Sequence, residues 1–387
     1  MTRHLELTLR DPIIARDGRP FSLGERMKSL DWPYPSVLAG SLRSLLGKQA
    51  GGEFTEDMVE KLQAIAVAGP LPARRGVLYF PAPADLVVRD DGGVRTPFVL
   101  RPQALGAEEG VDFPVEGLQP VLPTDPPEKD FKPGKLPAFW SLGKIEEWLG
   151  RAEPPEGWEA PPTPGGGGCG YLDTPEQDAR THAKIRPDTG AHEEKMLFRT
   201  VGLAPAGEVT LSARVQAHNA FSTRLGVLST LHPFGGERRL VHWQSKAQGP
   251  DGWSCPPSLV EALTKTPYLR MVLATPAVFK GGWKPGWLGD GLNGTPPVAG
   301  APPMRLVGAC LDRWRPISGW DMRVRARKGI RRLVPAGGVY FFRADAQLTA
   351  DVARRLWLQP VCDEPQDQRD GFGLALWGVG QPTEGGE

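Results

Sequence analysis

The chain has little of the material from which metal sites and common catalytic motifs are built. Its four cysteines, Cys169, Cys255, Cys310 and Cys362, lie far apart, with no CxxC and no Cys/His pair at zinc-ligand spacing. That argues against a structural zinc. Histidine is scarce: His4, His182, His192, His218, His232 and His242 form neither HxxxH nor HExxH. There is no GxSxG elbow and no GxxxxGK[ST] phosphate loop. No apolar run approaches the roughly 18 residues of a membrane span, and the opening MTRHLELTLRD has no apolar segment of a secretion signal. A cytoplasmic chain with reduced thiols and no membrane contact is the expectation. Charge of one sign is also missing. The net charge is +1 over 387 residues, so a role with nucleic acid has to rest on local clustering.

What is abundant is glycine and proline, 48 and 41 residues, beside an apolar fraction of 40%. That fraction supports packed cores, and the length suits one large domain or two ordinary ones. Glycine and proline are dense in long connections such as 120–137, 153–170 and 283–303.

Local charge is concentrated between Ile317 and Phe342. Arg323, Arg325, Arg327, Lys328, Arg331 and Arg332 stand against a single acid, Asp321. The run then passes through Pro335-Ala336-Gly337-Gly338 into the apolar Val339–Phe342. Arg323, Arg325 and Arg327 are spaced by two, so an extended strand over 322–328 would place them on one face. Guanidinium forks suit phosphate. A solvated basic edge strand satisfies the same pattern. Arg180, His182, Lys184 and Arg186 alternate likewise and precede a polar segment, as in one strand of a long hairpin returning over 197–202.

Periodicity predicts a strand at 4–9, helices at 37–46 and 56–67, strands at 76–80 and 94–100, and a turn at 89–93. It predicts an amphipathic helix at 139–149, a strand at 208–215 that starts a second domain, and a strand at 240–244. Beyond these come a helix at 257–263, strands at 268–274, 306–314 and 339–343, and a helix at 348–356. The strand–helix–strand–strand–helix–strand rhythm argues α+β with ferredoxin-like units.

Two glycine-rich stretches, Gly235-Gly236 and Gly371–Gly380, lack the strand-before, helix-after context of a dinucleotide fold. They are plain turns, or places where backbone approaches a phosphate or RNA closely. Trp283, Trp287, Trp320 and Phe372 are candidate base stackers or core residues. Asp90-Asp91 reads as a turn rather than a metal site.

Several segments in order resemble one family. They are Asp11–Phe21, Trp32–Arg43, His182–Glu194 with Leu197-Phe198, Gly235–Arg239, Leu273–Phe279 with Gly281–Trp283, and Gly319–Asp321. The most specific is Arg331–Tyr340, and Gly371–Gly373 with Gly378–Gly380 completes the set. Together they resemble the type III-B CRISPR effector RAMP protein that caps the 5′-handle end of the guide RNA (crRNA). Gly165–Gly168 looks like an insertion peculiar to this chain. The resemblance implies two fused ferredoxin-like (RRM-like) domains, expected at 1–205 and 206–387, with long Pro/Gly-rich loops and a C-terminal Gly-rich loop.

It further implies binding of the crRNA 5′ handle, contacts with the large polymerase-like subunit and an adjacent backbone subunit, and indirect contact with target RNA. It implies no nuclease activity, no catalytic residue, no metal and no cofactor. Combined with the charge pattern, the RNA-binding candidates are Arg43, Arg180, His182, Lys184, Arg186, Gly235, Gly236, Arg238, Arg239, Arg325, Arg327, Lys328, Arg331, Arg332, Gly371, Phe372 and Gly373. The segment 180–194 is expected as a thumb-like hairpin. The alternatives are a repeat-processing endoribonuclease, with His232 beside Gly235 as its acid/base, the equivalent type III-A subunit, or a protein-interaction module without RNA affinity.

Overall fold

In a computed structural model the protein is described over residues 1–18, 29–106, 108–113, 115–151, 153–159, 170–217, 220–321, 324 and 326–381. The expectations placed on Arg323, Arg325 and Gly165–Gly168 fall outside these residues.

Two large sheets dominate. The first has eight strands in the order Ser229–Pro233, Leu240–Lys246, Thr2–Leu9, Val209–Gln216, Ala66–Arg74, Val77–Pro81, Phe139–Ser141 and Tyr171–Leu172. The second has six, in the order Asn293–Gly294, Met304–Cys310, Val339–Ala344, Tyr268–Leu273, Leu374–Val379 and Gln359–Pro360. The division expected at 205/206 does not coincide with a change of sheet. Val209–Gln216 pairs with Thr2–Leu9 in antiparallel register, Leu5 opposite Ala213, and Leu240–Lys246 flanks the other edge of Thr2–Leu9. The chain changes sheet between Lys246 and Tyr268.

Helix Pro35–Gln49 begins on a proline in its first turn, where the missing N–H costs nothing. It buries Leu38, Leu42, Leu45 and Leu46 in one cluster with Leu5, Leu7, Val67 and Leu211 of the first sheet. Helix Glu56–Gln63 is capped by the Thr55 side chain, which accepts from Met58 N at 3.3 Å. It stops short of the expected Val67. Residues Ala66–Arg74 instead form a central strand, with Val67 opposite Val215 and Leu71 opposite Ser212. Pro70 lies at the irregularity between Ser212 and Arg214, a kind of place that tolerates a proline inside a sheet.

The second sheet is covered on both faces. Leu269, Met271 and Leu273 join the cluster of the first sheet. Val272, Leu374 and Leu376 pack with Ile145, Trp148, Leu149 and Leu259, from helices Leu142–Arg151 and Pro257–Leu263. Arg270, on that second face, is 1% exposed. It pairs with Asp85 at 2.7 Å, while Trp148 Nε1 donates to the other Asp85 oxygen at 3.1 Å. A buried charge survives only when paired and hydrogen-bonded in this way.

Candidate nucleic-acid interface

Two arms leave the sheets. The first is the hairpin Glu176–Ile185 and His192–Ala204, which forms a two-stranded sheet of its own. Antiparallel register puts Arg180 opposite Thr200 and His182 opposite Phe198. Arg180, His182 and Lys184 therefore share a face. On it the His182 and Phe198 rings stack at 5.0 Å with 14° between planes, and His182 Nε2 lies 2.8 Å from Thr200 Oγ1. Phe198 is 54% exposed, so the stacked pair is open to solvent. On the opposite face Ile185 and Leu197 are exposed as well.

The basic stretch forms the second arm. Val324, expected within a strand, lies in a turn, while Arg315–Ile317 pairs with Arg331–Leu333, and Trp320-Asp321 pairs with Ala326-Arg327. Ile317 and Leu333 are buried at its base, and residues 326–332 are all exposed. Arg332 lies over the Trp314 ring at 4.7 Å, and Trp320 stands opposite Arg327.

One extended segment, Asp11–Gly18, joins the bases of both arms to the Gly235–Arg239 loop. Ile13 exchanges backbone bonds with Leu203 at the root of the first arm, 3.0 and 2.7 Å. Gly236 N donates to Ile14 O at 2.7 Å, and Ser318 N in the second arm donates to Asp17 O at 2.8 Å. Glycine is needed at these crossings. A Cβ on Gly235 would stand 2.4 Å from Ile14 O, and one on Gly18 would stand 2.6 Å from the Ser318 carbonyl carbon, both at positive φ. Three separately noted basic elements thus meet on one strap.

Charge remains available there. Arg180 is committed to Asp178 at 2.6 Å, and that hydrogen bond, with the Asp178 charge, raises its pKa. Arg331 donates to both oxygens of Asp367 at 2.9 and 2.7 Å. Arg186, Arg238, Arg327, Lys328 and Arg332 have no carboxylate partner among the described residues. Arg238 is held at φ 51 and points from an exposed loop position. Arg239 keeps an enclosed Nε without a hydrogen-bond partner. Among the described residues no group of three or more His, Cys, Asp or Glu is placed to hold a metal, and no helix is long and apolar enough to cross a membrane.

A family model described as CRISPR-associated protein (Cas_Cmr3) matches residues 5–380. The chain belongs to the Cas_Cmr3 family. No curated protein matches it. Among solved structures it is similar to a chain of a type III-B Cmr-beta complex, seen by cryo-EM bound to cognate target RNA. Identity there is 15% and the TM-score 0.48, covering 87% of this chain and 86% of that one. It is also similar to a chain of the Csm3–Csm4 subcomplex of the type III-A CRISPR-Cas interference complex. Identity is 10% and the TM-score 0.41, covering 98% of this chain and 100% of that one.

In this Cas_Cmr3 family member several expected contact residues serve the fold. Arg43 points inward. Its Nε and Nη2 donate to the carbonyls of Leu62 and Ile65, each at 2.9 Å, and Nη1 meets Asp370 at 2.6 Å. Gly371, Phe372 and Gly373 are a packing joint rather than an open cradle. A Cβ on Gly371 would stand 2.6 Å from Val67 O, and one on Gly373 would stand 2.7 Å from Cys362 Sγ. Phe372 is 1% exposed, so it does not present a ring to a base. Trp287 is packed too, stacked on Phe342 at 5.4 Å. The glycines allow close backbone approach as expected, but the backbone that approaches is the protein's own. Sequence reasoning missed Phe198 and Trp314 as exposed aromatics. For Trp314 the signal was present, in its arginine neighbours Arg313 and Arg315.

Proposed function

We propose that this chain is a non-catalytic RNA-binding subunit of a type III-B CRISPR effector complex, acting in the cytoplasm. It holds the repeat-derived 5′ handle of the crRNA and bridges the large subunit to the adjacent backbone subunit, meeting target RNA only indirectly. The observation that carries the reading is the Asp11–Gly18 strap, which ties the roots of two exposed, basic, aromatic-bearing arms and the Gly235–Arg239 loop to one segment. Unpaired arginines and exposed aromatic rings are the two ingredients of single-stranded RNA binding.

Strand order supports two ferredoxin-like units. In the first, the strands at 2–9, 66–74, 209–216 and 240–246 lie in the spatial order fourth, first, third, second. In the second, those at 268–273, 304–310, 339–344 and 374–379 repeat that order. The endoribonuclease alternative loses support from His232. It is 8% exposed, and burial, then the Lys48 charge, lowers its pKa. A catalytic acid/base must reach the reacting oxygen and exchange a proton with it.

The test compares crRNA carrying its natural 5′ handle with a scrambled handle, using the chain together with its large-subunit partner at fixed salt. A loss of about tenfold or more, roughly 1.4 kcal/mol, supports handle recognition by this surface if Lys184→Glu/Arg186→Glu and Arg327→Glu/Lys328→Glu each weaken binding and flatten its salt dependence. Equal affinity for both RNAs refutes handle reading by this chain.

A further inference from the structure

Trp314 is unusual in being a large aromatic left 54% exposed while held in a defined place. It lies just before the strand Arg315–Ile317, and the Arg332 guanidinium sits over its ring at 4.7 Å. Arg332 is itself fixed by register, opposite Pro316. Such a pair is a pre-formed platform. The cation engages one face of the indole, and the exposed area of the ring is available to a second flat partner. Trp320 repeats the theme further out on the same arm, also 54% exposed and opposite Arg327.

We infer that Trp314, backed by Arg332, is a stacking site for one unpaired nucleobase of single-stranded RNA. The inference rests on the RNA-binding reading above and assigns it a specific subsite. A protein contact would also use tryptophan and arginine. The arm, however, carries Arg327, Lys328, Arg331 and Arg332 with only Asp321 among its acids, and so dense a run of one sign suits a polyanion whose phosphates take guanidinium and ammonium donors. Arg327 and Lys328 are exposed on the same arm and have no carboxylate partner among the described residues, so they can take phosphates of that strand. Stacking is tolerant of base identity, because every base has a π face. Trp314 would therefore fix position along the RNA rather than read its sequence.

The test measures affinity of the full-length chain for fluorescently labelled single-stranded handle RNA at fixed salt, for the wild type, Trp314→Ala and Trp314→Phe. RNAs in which each nucleotide in turn is abasic are compared with the intact strand. The expected result is about a tenfold loss in Trp314→Ala and a loss of under about threefold in Trp314→Phe, which keeps a stacking ring. One abasic position should weaken the wild type similarly and leave Trp314→Ala no weaker than before. Thermal melts at the wild-type midpoint show that the variants are folded. RNA binding that is tight in the wild type and unchanged in Trp314→Ala overturns this inference alone. So does an abasic penalty equally large in both proteins. Loss of partner-subunit assembly with unchanged RNA affinity overturns it in favour of a protein contact. No RNA binding by the wild type overturns the RNA-binding reading and this site with it.

Discussion

Arg43 gives the sharpest test of how the charges are divided between fold and ligand. Its guanidinium makes three bonds, to Leu62 O, Ile65 O and Asp370 Oδ1, and both charged side chains are 13% exposed. Arg43→Ala strips two carbonyls of a donor and leaves the Asp370 carboxylate with Gln366 Nε2, at 2.7 Å, as its remaining donor. Breaking a fully buried pair costs about 3–5 kcal/mol. Partial exposure and the Gln366 bond reduce that, and the two orphaned carbonyls add to it, so the expected loss is about 2–4 kcal/mol. Urea unfolding measures it, with Asp370→Asn and the double variant closing a cycle whose coupling should be about 1–3 kcal/mol. RNA affinity, measured well below the unfolding midpoint, should stay within about threefold of wild type. An Arg43→Ala protein that unfolds at the wild-type urea concentration but loses tenfold or more in RNA affinity would refute the structural assignment, because only a ligand-facing arginine behaves that way.

Asp85→Ala should be more damaging, about 3–5 kcal/mol. It leaves Arg270 charged and enclosed in the sheet, and wild-type solubility and melting of that variant would contradict the burial. Gly371→Ala places a methyl 2.6 Å from Val67 O at φ +93. About 1–3 kcal/mol of stability should go with RNA affinity intact, whereas a binding loss without a stability loss would restore the glycine loop as a ligand cradle. Burial is the largest cause lowering the pKa of both His4 and His232. Their unfolded forms take up protons near the usual 6.5 before the folded forms do, so stability should fall as pH drops from about 7 towards 5.5. Thermal melting that is flat or rises over that window would rule the effect out.

Much of the local structure was legible in the chain. The alternation at 180–186 and the polar turn after it specified a hairpin, and a hairpin it is. Leucines at helical spacing after Pro35-Ser36 specified a buried helix, observed over Pro35–Gln49. The run of arginines specified a surface that meets anions or water, since guanidiniums do not deprotonate and burying them unpaired is prohibitive. Sequence also carried the family, through motifs whose order spans the chain.

What sequence could not settle was who meets whom. Ala66 and Val67, the first residues of strand Ala66–Arg74, looked like the end of a helix, because the apolar residues and prolines of that strand acquire meaning only beside Val209–Gln216. Arg43 and Asp370 are separated by 327 positions, so nothing local distinguishes that arginine from one that binds phosphate. Gly371 must allow close approach, but only the packing of Gly371 against Val67 names the approaching group. The gathering of two arms and a loop on the Asp11–Gly18 strap likewise rests on backbone bonds between distant segments. Local pattern decides an element's type where near-neighbour forces dominate, as at Pro35–Gln49, and not where its residues are held by distant strands, as at Ala66–Arg74. The interface is decided by tertiary contacts, because charge and stacking area count only once they converge in space.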